Sequence, residues 1–87
     1  MSESEIIRIK KVLGNHYSMK IINQLNKLGI FNADGNPYSG GSIRKIVNGN
    51  QPNPEIEVEI LKIVHRAEKK KTALDAKRKA LTQTQVL

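Results

Sequence analysis

Apolar residues recur at helical spacing in four stretches of the chain, and turn-forming residues separate them. Ile6, Ile9 and Leu13 mark a first helix over about residues 3–14, with Ile7 and Val12 widening its stripe. Ser2-Glu3-Ser4-Glu5 fits a capping box, in which Ser2 and Glu5 satisfy each other's backbone amides. Gly14-Asn15 stops the helix. A second helix is predicted to start at Ser18 as N-cap. Ile21, Ile22, Leu25 and Leu28 define its face, Met19 fills a gap beside them, and Gly29 stands where a C-terminal cap belongs. From Ile30 to Ser39, Asp34-Gly35 and Asn36-Pro37 are turn formers, because Gly tolerates positive φ and Pro fixes its own. A tight loop is expected there, with a short β-ribbon pinned by Phe31 and Tyr38.

The third helix runs from Ser39 or Ser42 to about Asn48 and is closed by Gly49. Ile43, Ile46 and Val47 make one narrow buried face, at i, i+3 and i+4. Asn53 as N-cap, Pro54 at the first helical position, and Glu55 and Glu57 in the first turn announce a fourth. Ile56, Ile60, Ile63, Val64 and Ala67 give it a core stripe. Good helix formers continue it to about Leu81, and residues 82–87 are expected to fray. The predicted class is all-α: a small helix-turn-helix bundle of four to five helices with a long C-terminal helix. Residues 1–67 form the domain and residues 68–87 a basic helical extension.

Eighty-seven residues suffice for one small core and are too few for most two-lobed enzymes. With 3% aromatics that core is expected to be aliphatic. The absence of cysteine excludes disulfide scaffolds, Cys-ligated metals and thiol catalysis. No apolar run reaches the roughly 20 residues of a membrane span, and the first residues lack the pattern of a signal peptide. A cytoplasmic place is therefore expected, on the nucleoid, or in the host cytoplasm if the chain is phage-encoded.

Charge changes the picture more than composition does. Fifteen Lys and Arg against eight Asp and Glu leave +7, which favours a polyanionic partner. The surplus is split: +4 over residues 1–54, −2 over 55–68 and +5 over 69–87. Two amphipathic helices precede a helix whose outer side is small, polar and cationic, which is the logic of a helix-turn-helix. The second helix of such a pair needs small residues at its start for close approach to the major groove. Ser39-Gly40-Gly41-Ser42 supplies them, and the first amides also suit a phosphate. Arg44 has the fork for a bidentate guanine contact, and Asn48 or Gln51 the amide for adenine. Lys45 suits a phosphate, which positions without specifying. Asn50 adjoins this segment, and Lys20, Lys27, Lys69, Lys70 and Lys71 are candidate assisting cations.

Two resemblances point the same way. Ile22-Asn-Gln-Leu-Asn-Lys-Leu-Gly-Ile30, Asp34-Gly35-Asn-Pro-Tyr-Ser39 and Ser42-Ile43-Arg44-Lys-Ile46 resemble the helix-turn-helix segment in the recombinase region of large serine recombinases, over about residues 22–50. Ile43-Arg44-Lys-Ile-Val-Asn48-Gly49-Asn, followed by Asn53 and Ile56, is similar to small Cro/repressor-class regulators of Bacteroidetes bacteria and their phages. Both imply a DNA-binding module with Ser39–Gly49 at the groove. The recombinase catalytic domain is absent, so no strand-cleavage chemistry carries over. The loop from Gly29 to Ser39 is also longer than the turn of a simple helix-turn-helix.

The expected function is that of a sequence-specific, double-stranded DNA-binding regulator, dimeric if its operator is palindromic, with no catalysis, metal or cofactor. The alternative is a protein–protein adaptor, phage-encoded inhibitor or minor virion protein on the same scaffold. Helix three's cations would then be a solvated surface. His16 and His65 lack any metal or triad spacing; a solvent-facing or capping His16 and a partly buried His65 are expected. Glu55, Glu57 and Glu59 suit the macrodipole at a helix start. The tail lysines can follow a phosphate backbone, or simply be solvated. Ile60, Ala67, Leu74 and Leu81 alternatively form a weak helix–helix seam, interrupted by Lys70 and Lys77.

Overall fold

The computed structural model describes residues 1–86 and is all-helical. Four helices follow in order: α1 (Glu3–Leu13), α2 (Tyr17–Lys27), α3 (Gly40–Val47) and α4 (Pro54–Val86). No strand occurs among the described residues. The capping box forms at the start of α1: Glu5 N donates to Ser2 Oγ at 3.2 Å and Ser2 N to Glu5 Oε1 at 2.8 Å. That backbone bond holds the Glu5 carboxyl below its ordinary pKa.

Helix α2 begins one residue before the predicted cap. His16 occupies the N-cap position, exposed and without a side-chain cap bond, and Ser18 is inside the helix and buried. The reason lies in packing. Tyr17 is 5% exposed and belongs to the core, so that core is not purely aliphatic. Met19, expected to fill a gap, is exposed instead, as are Leu28 at the end of α2 and Ile7 on α1. The buried stripe of α2 is the narrower set Tyr17, Ile21, Ile22 and Leu25.

The long α2–α3 connection is built from two local devices. Gly29, at φ 72°, closes α2 with Ile30 N bonded to Leu25 O (2.9 Å) and Gly29 N to Asn26 O (3.1 Å), a Schellman motif. Asn32 then organises the turn. Its Oδ1 accepts from Asp34 N and Asn36 N, both at 3.0 Å, and its backbone bonds Gly35 N and Asn36 O. These bonds make a hairpin-like loop without flanking strands, so the expected β-ribbon does not form. Ile30 and Tyr38 anchor the loop against the core, whereas Phe31, predicted as one of the pins, is exposed. A residue with an amide neighbour network of its own needs no ladder, which is why the ribbon is dispensable.

Ile9, Leu13, Ile21, Leu25, Ile43, Ile46, Val47, Ile60 and Val64 fill the centre. Helix α2 packs on each of the other three helices, and α1 lies along α4. Asn53 caps α4 as predicted, with Ile56 N donating to its Oδ1 at 3.3 Å. Arg8 on α1 grips Glu68 on α4, with Nε 3.0 and 3.1 Å from the two carboxylate oxygens and Nη2 also bonded to Oε1. The guanidinium lowers the Glu68 pKa, and the pairing raises that of Arg8.

Burial stops at Glu68, and residues 69–82 are all exposed. The helix nevertheless runs unbroken across the 67/68 boundary and past the predicted end at Leu81 to Val86. Of the segment expected to fray, Leu87 lies outside the described residues. Thirty-three residues make a rod of about 50 Å. It stretches the molecule to 58 Å and gives a radius of gyration of 15.9 Å, against about 12 Å for a compact chain of this length. No helix among the described residues is long and apolar enough to cross a membrane.

Candidate nucleic-acid interface

Helix α3 is oriented by its inner face. Ile43, Ile46 and Val47 are each 0% exposed, so the opposite side is committed outward. At 100° per residue that outer strip is Gly41, Lys45 and Asn48, with Arg44 beside it, and all four are exposed. Neither Arg44 nor Lys45 makes an ion pair among the described residues, and α4 does not cover them.

Ser39 is the N-cap, exposed, accepting from Ser42 N at 3.1 Å and donating its hydroxyl to Ser42 Oγ at 3.0 Å. Ser42 is half-buried. Gly40 and Gly41 form the first helical turn and are not the flexible lead-in that such a pair often makes. Neither has positive φ, and neither would clash with a methyl group. A Cβ at Gly41 would meet only Ser39 Oγ at 4.0 Å. One at Gly40 would meet Ser18 Oγ at 3.6 Å and the Arg44 guanidinium at 3.7 and 3.8 Å, ordinary contacts. The fold thus has no need of glycine at either place. It carries two poor helix formers in an eight-residue helix, and leaves bare backbone at the start of the outer face. The Arg44 side chain folds back along α3 toward this glycine turn.

Gly49, at φ 82°, ends α3, with Asn50 N and Gln51 N both bonded to Lys45 O, at 2.9 and 3.2 Å. The side chains of Asn50 and Gln51 are exposed at this far end, about 12 Å of helix from Ser39.

The other predicted cations do not join this face. Ser18 touches the α3 side at Gly40, and Lys20 and Lys27 lie about 160–180° around α2 from Ser18. They line a groove against α4 together with Arg66 and Lys70. Lys69, Lys70 and Lys71 step 100° each on an exposed helix and so point three ways, not along one track. Arg66 escaped the sequence reading. The signal was present in the seven-residue spacing of Lys20 and Lys27 and the four-residue spacing of Arg66 and Lys70, each of which returns to one helix flank. His65 is exposed, not partly buried. Glu57 faces the Met1 amine at 3.5 Å and Glu59 faces Lys62 at 3.3 Å.

No protein-family model, curated protein or solved structure matches the chain. The functional reading therefore stands on the residues and geometry of α3.

Proposed function

We propose that this chain is a sequence-specific, double-stranded DNA-binding regulator of bacterial or phage origin, acting in the cytoplasm, with α3 laid in the major groove. The observation that carries the reading is the orientation of α3. Its three apolar residues are wholly buried, so Arg44, Lys45 and Asn48 face outward, unpaired and uncovered, beside a glycine turn the fold does not require.

On this reading Gly40-Gly41 lets the backbone approach the duplex closely. Arg44 donates two parallel hydrogen bonds to a guanine, and Asn48 pairs with the N6/N7 edge of an adenine. Lys45 and Ser39 hold phosphates and set the register. Cations on α4 add affinity without sequence preference.

The test is an anisotropy titration of a labelled duplex at increasing salt. If α3 and the basic stretch of α4 together neutralise about five phosphates, log K falls against log[salt] with a slope of roughly −4 to −5. No duplex binding at about 50 mM salt would overturn the reading and leave the adaptor role in its place.

A further inference from the structure

The groove between α2 and α4 has a volume of about 380 Å³, in the range of small-ligand sites. Lys20 and Lys27 enter from α2, Arg66 and Lys70 from α4, and Leu13 and Ile63 supply an apolar floor. No carboxylate lines it. None of the four cations makes an ion pair among the described residues. Arg66 Nε donates to its own helix at Lys62 O (3.4 Å), which steadies the side chain. The nearby acids are engaged elsewhere: Glu68 with Arg8, Glu59 with Lys62, and Glu57 with the Met1 amine.

Four like charges around one groove repel one another, and a bound anion relieves that repulsion further than solvent screening does. Their spacing sets its length. Lys20 and Lys27 are about 10 Å apart along α2, and Arg66 and Lys70 about 6 Å apart along α4. Cations anchored at these intervals suit several linked anionic groups better than one isolated phosphate or carboxylate. Lys ammonium groups are compact point charges that suit phosphate oxygens, and Arg adds a fork.

We propose that the α2–α4 groove is a binding site for a chain of linked phosphates, separate from the α3 face, with Lys20, Lys27, Arg66 and Lys70 as its ligands. The site stands independently of the DNA-reading role of α3. Its occupant is either a nucleic-acid backbone or free inorganic polyphosphate, which share this chemistry.

The experiment titrates the full chain with inorganic tripolyphosphate at about 50 mM salt and follows ¹H–¹⁵N spectra. The expected shifts centre on Lys20, Lys27, Arg66 and Lys70, with Gly41–Asn48 unmoved. The quadruple variant Lys20→Gln, Lys27→Gln, Arg66→Gln, Lys70→Gln weakens binding at least about tenfold. A control with the same charge removed elsewhere (Lys10→Gln, Lys11→Gln, Lys77→Gln, Lys79→Gln) stays within about twofold for tripolyphosphate, as does Arg44→Ala. All of these positions are exposed, and circular dichroism checks that both variants stay folded. Repeating the comparison with long-chain polyphosphate and with a short duplex identifies the source by which affinity the groove variant loses. Equal losses in the groove and control variants, shifts confined to α3, or equal competition by a poly-glutamate peptide would each overturn the proposal.

Discussion

Gly41 separates what the fold requires from what a partner requires. In the structure it lies in the first turn of α3 with ordinary helical φ, and a methyl group there meets nothing closer than 4.0 Å. Alanine is better than glycine in a helix by about 0.8–1 kcal/mol at interior positions, and somewhat less in a first turn. Gly41→Ala is therefore expected to stabilise the chain by about 0.5–1 kcal/mol. For 87 residues the unfolding entropy is roughly 0.18 kcal/mol/K, so Tm rises by roughly 3–5 °C. Binding should move the opposite way. If this turn lies against a duplex, the methyl group occupies space that the partner's backbone needs. Overpacking a close contact costs about 1–3 kcal/mol, or roughly 5- to 150-fold in Kd. Thermal unfolding by circular dichroism and duplex titration on the same preparation read both effects. A variant that is stabilised yet binds duplex as tightly as the parent would refute the close-approach argument. A variant that is destabilised would refute the claim that the fold does not need this glycine.

Two further outcomes follow from the ion pair and the projecting helix. The Glu68 carboxyl has its folded pKa lowered by Arg8, so its contribution is present above the ordinary carboxylate range and is lost as pH falls through the depressed value. Glu5, held down by the Ser2 backbone amide, adds to the same loss. Tm should fall on acidification below about pH 4.5, and Glu68→Gln should flatten part of that fall; an unchanged acid limb in the variant would contradict the assignment. Ending the chain after Thr72 removes helix that is exposed as far as Thr82, so urea unfolding should shift by less than about 0.5 kcal/mol. A larger loss would mean that the extension packs on something.

Much of this architecture could be read from the residues. The capping box at Ser2, the cap at Asn53 and the positive-φ glycines at the ends of α2 and α3 act locally, so their sequence signals are sufficient. Ile43, Ile46 and Val47 leave α3 only one way to face. The misreadings came where tertiary packing decided. Ser18 looks like a cap, but Tyr17 needs burial, and the helix starts earlier to provide it. Phe31 and Tyr38 look like a matched pair, yet only Tyr38 packs on the core, and Ile30 and the side-chain amide of Asn32 hold the rest of the loop. The candidate cations could be listed from the sequence, but not grouped. Which flank of α2 meets α3 and which meets α4 depends on helix packing, and that is what moved Lys20 and Lys27 away from Arg44 and toward Arg66.

Selection of bound duplexes from a random pool, run in parallel with the parent chain and with Arg44→Ala, examines the outer face of α3 most directly. The parent should enrich a motif containing a fixed guanine, and the variant should lose about 1–3 kcal/mol on that motif together with the preference at that position. A parent chain that enriches no motif, or an Arg44→Ala variant that enriches the same motif equally well, would contradict the claim that this helix reads DNA.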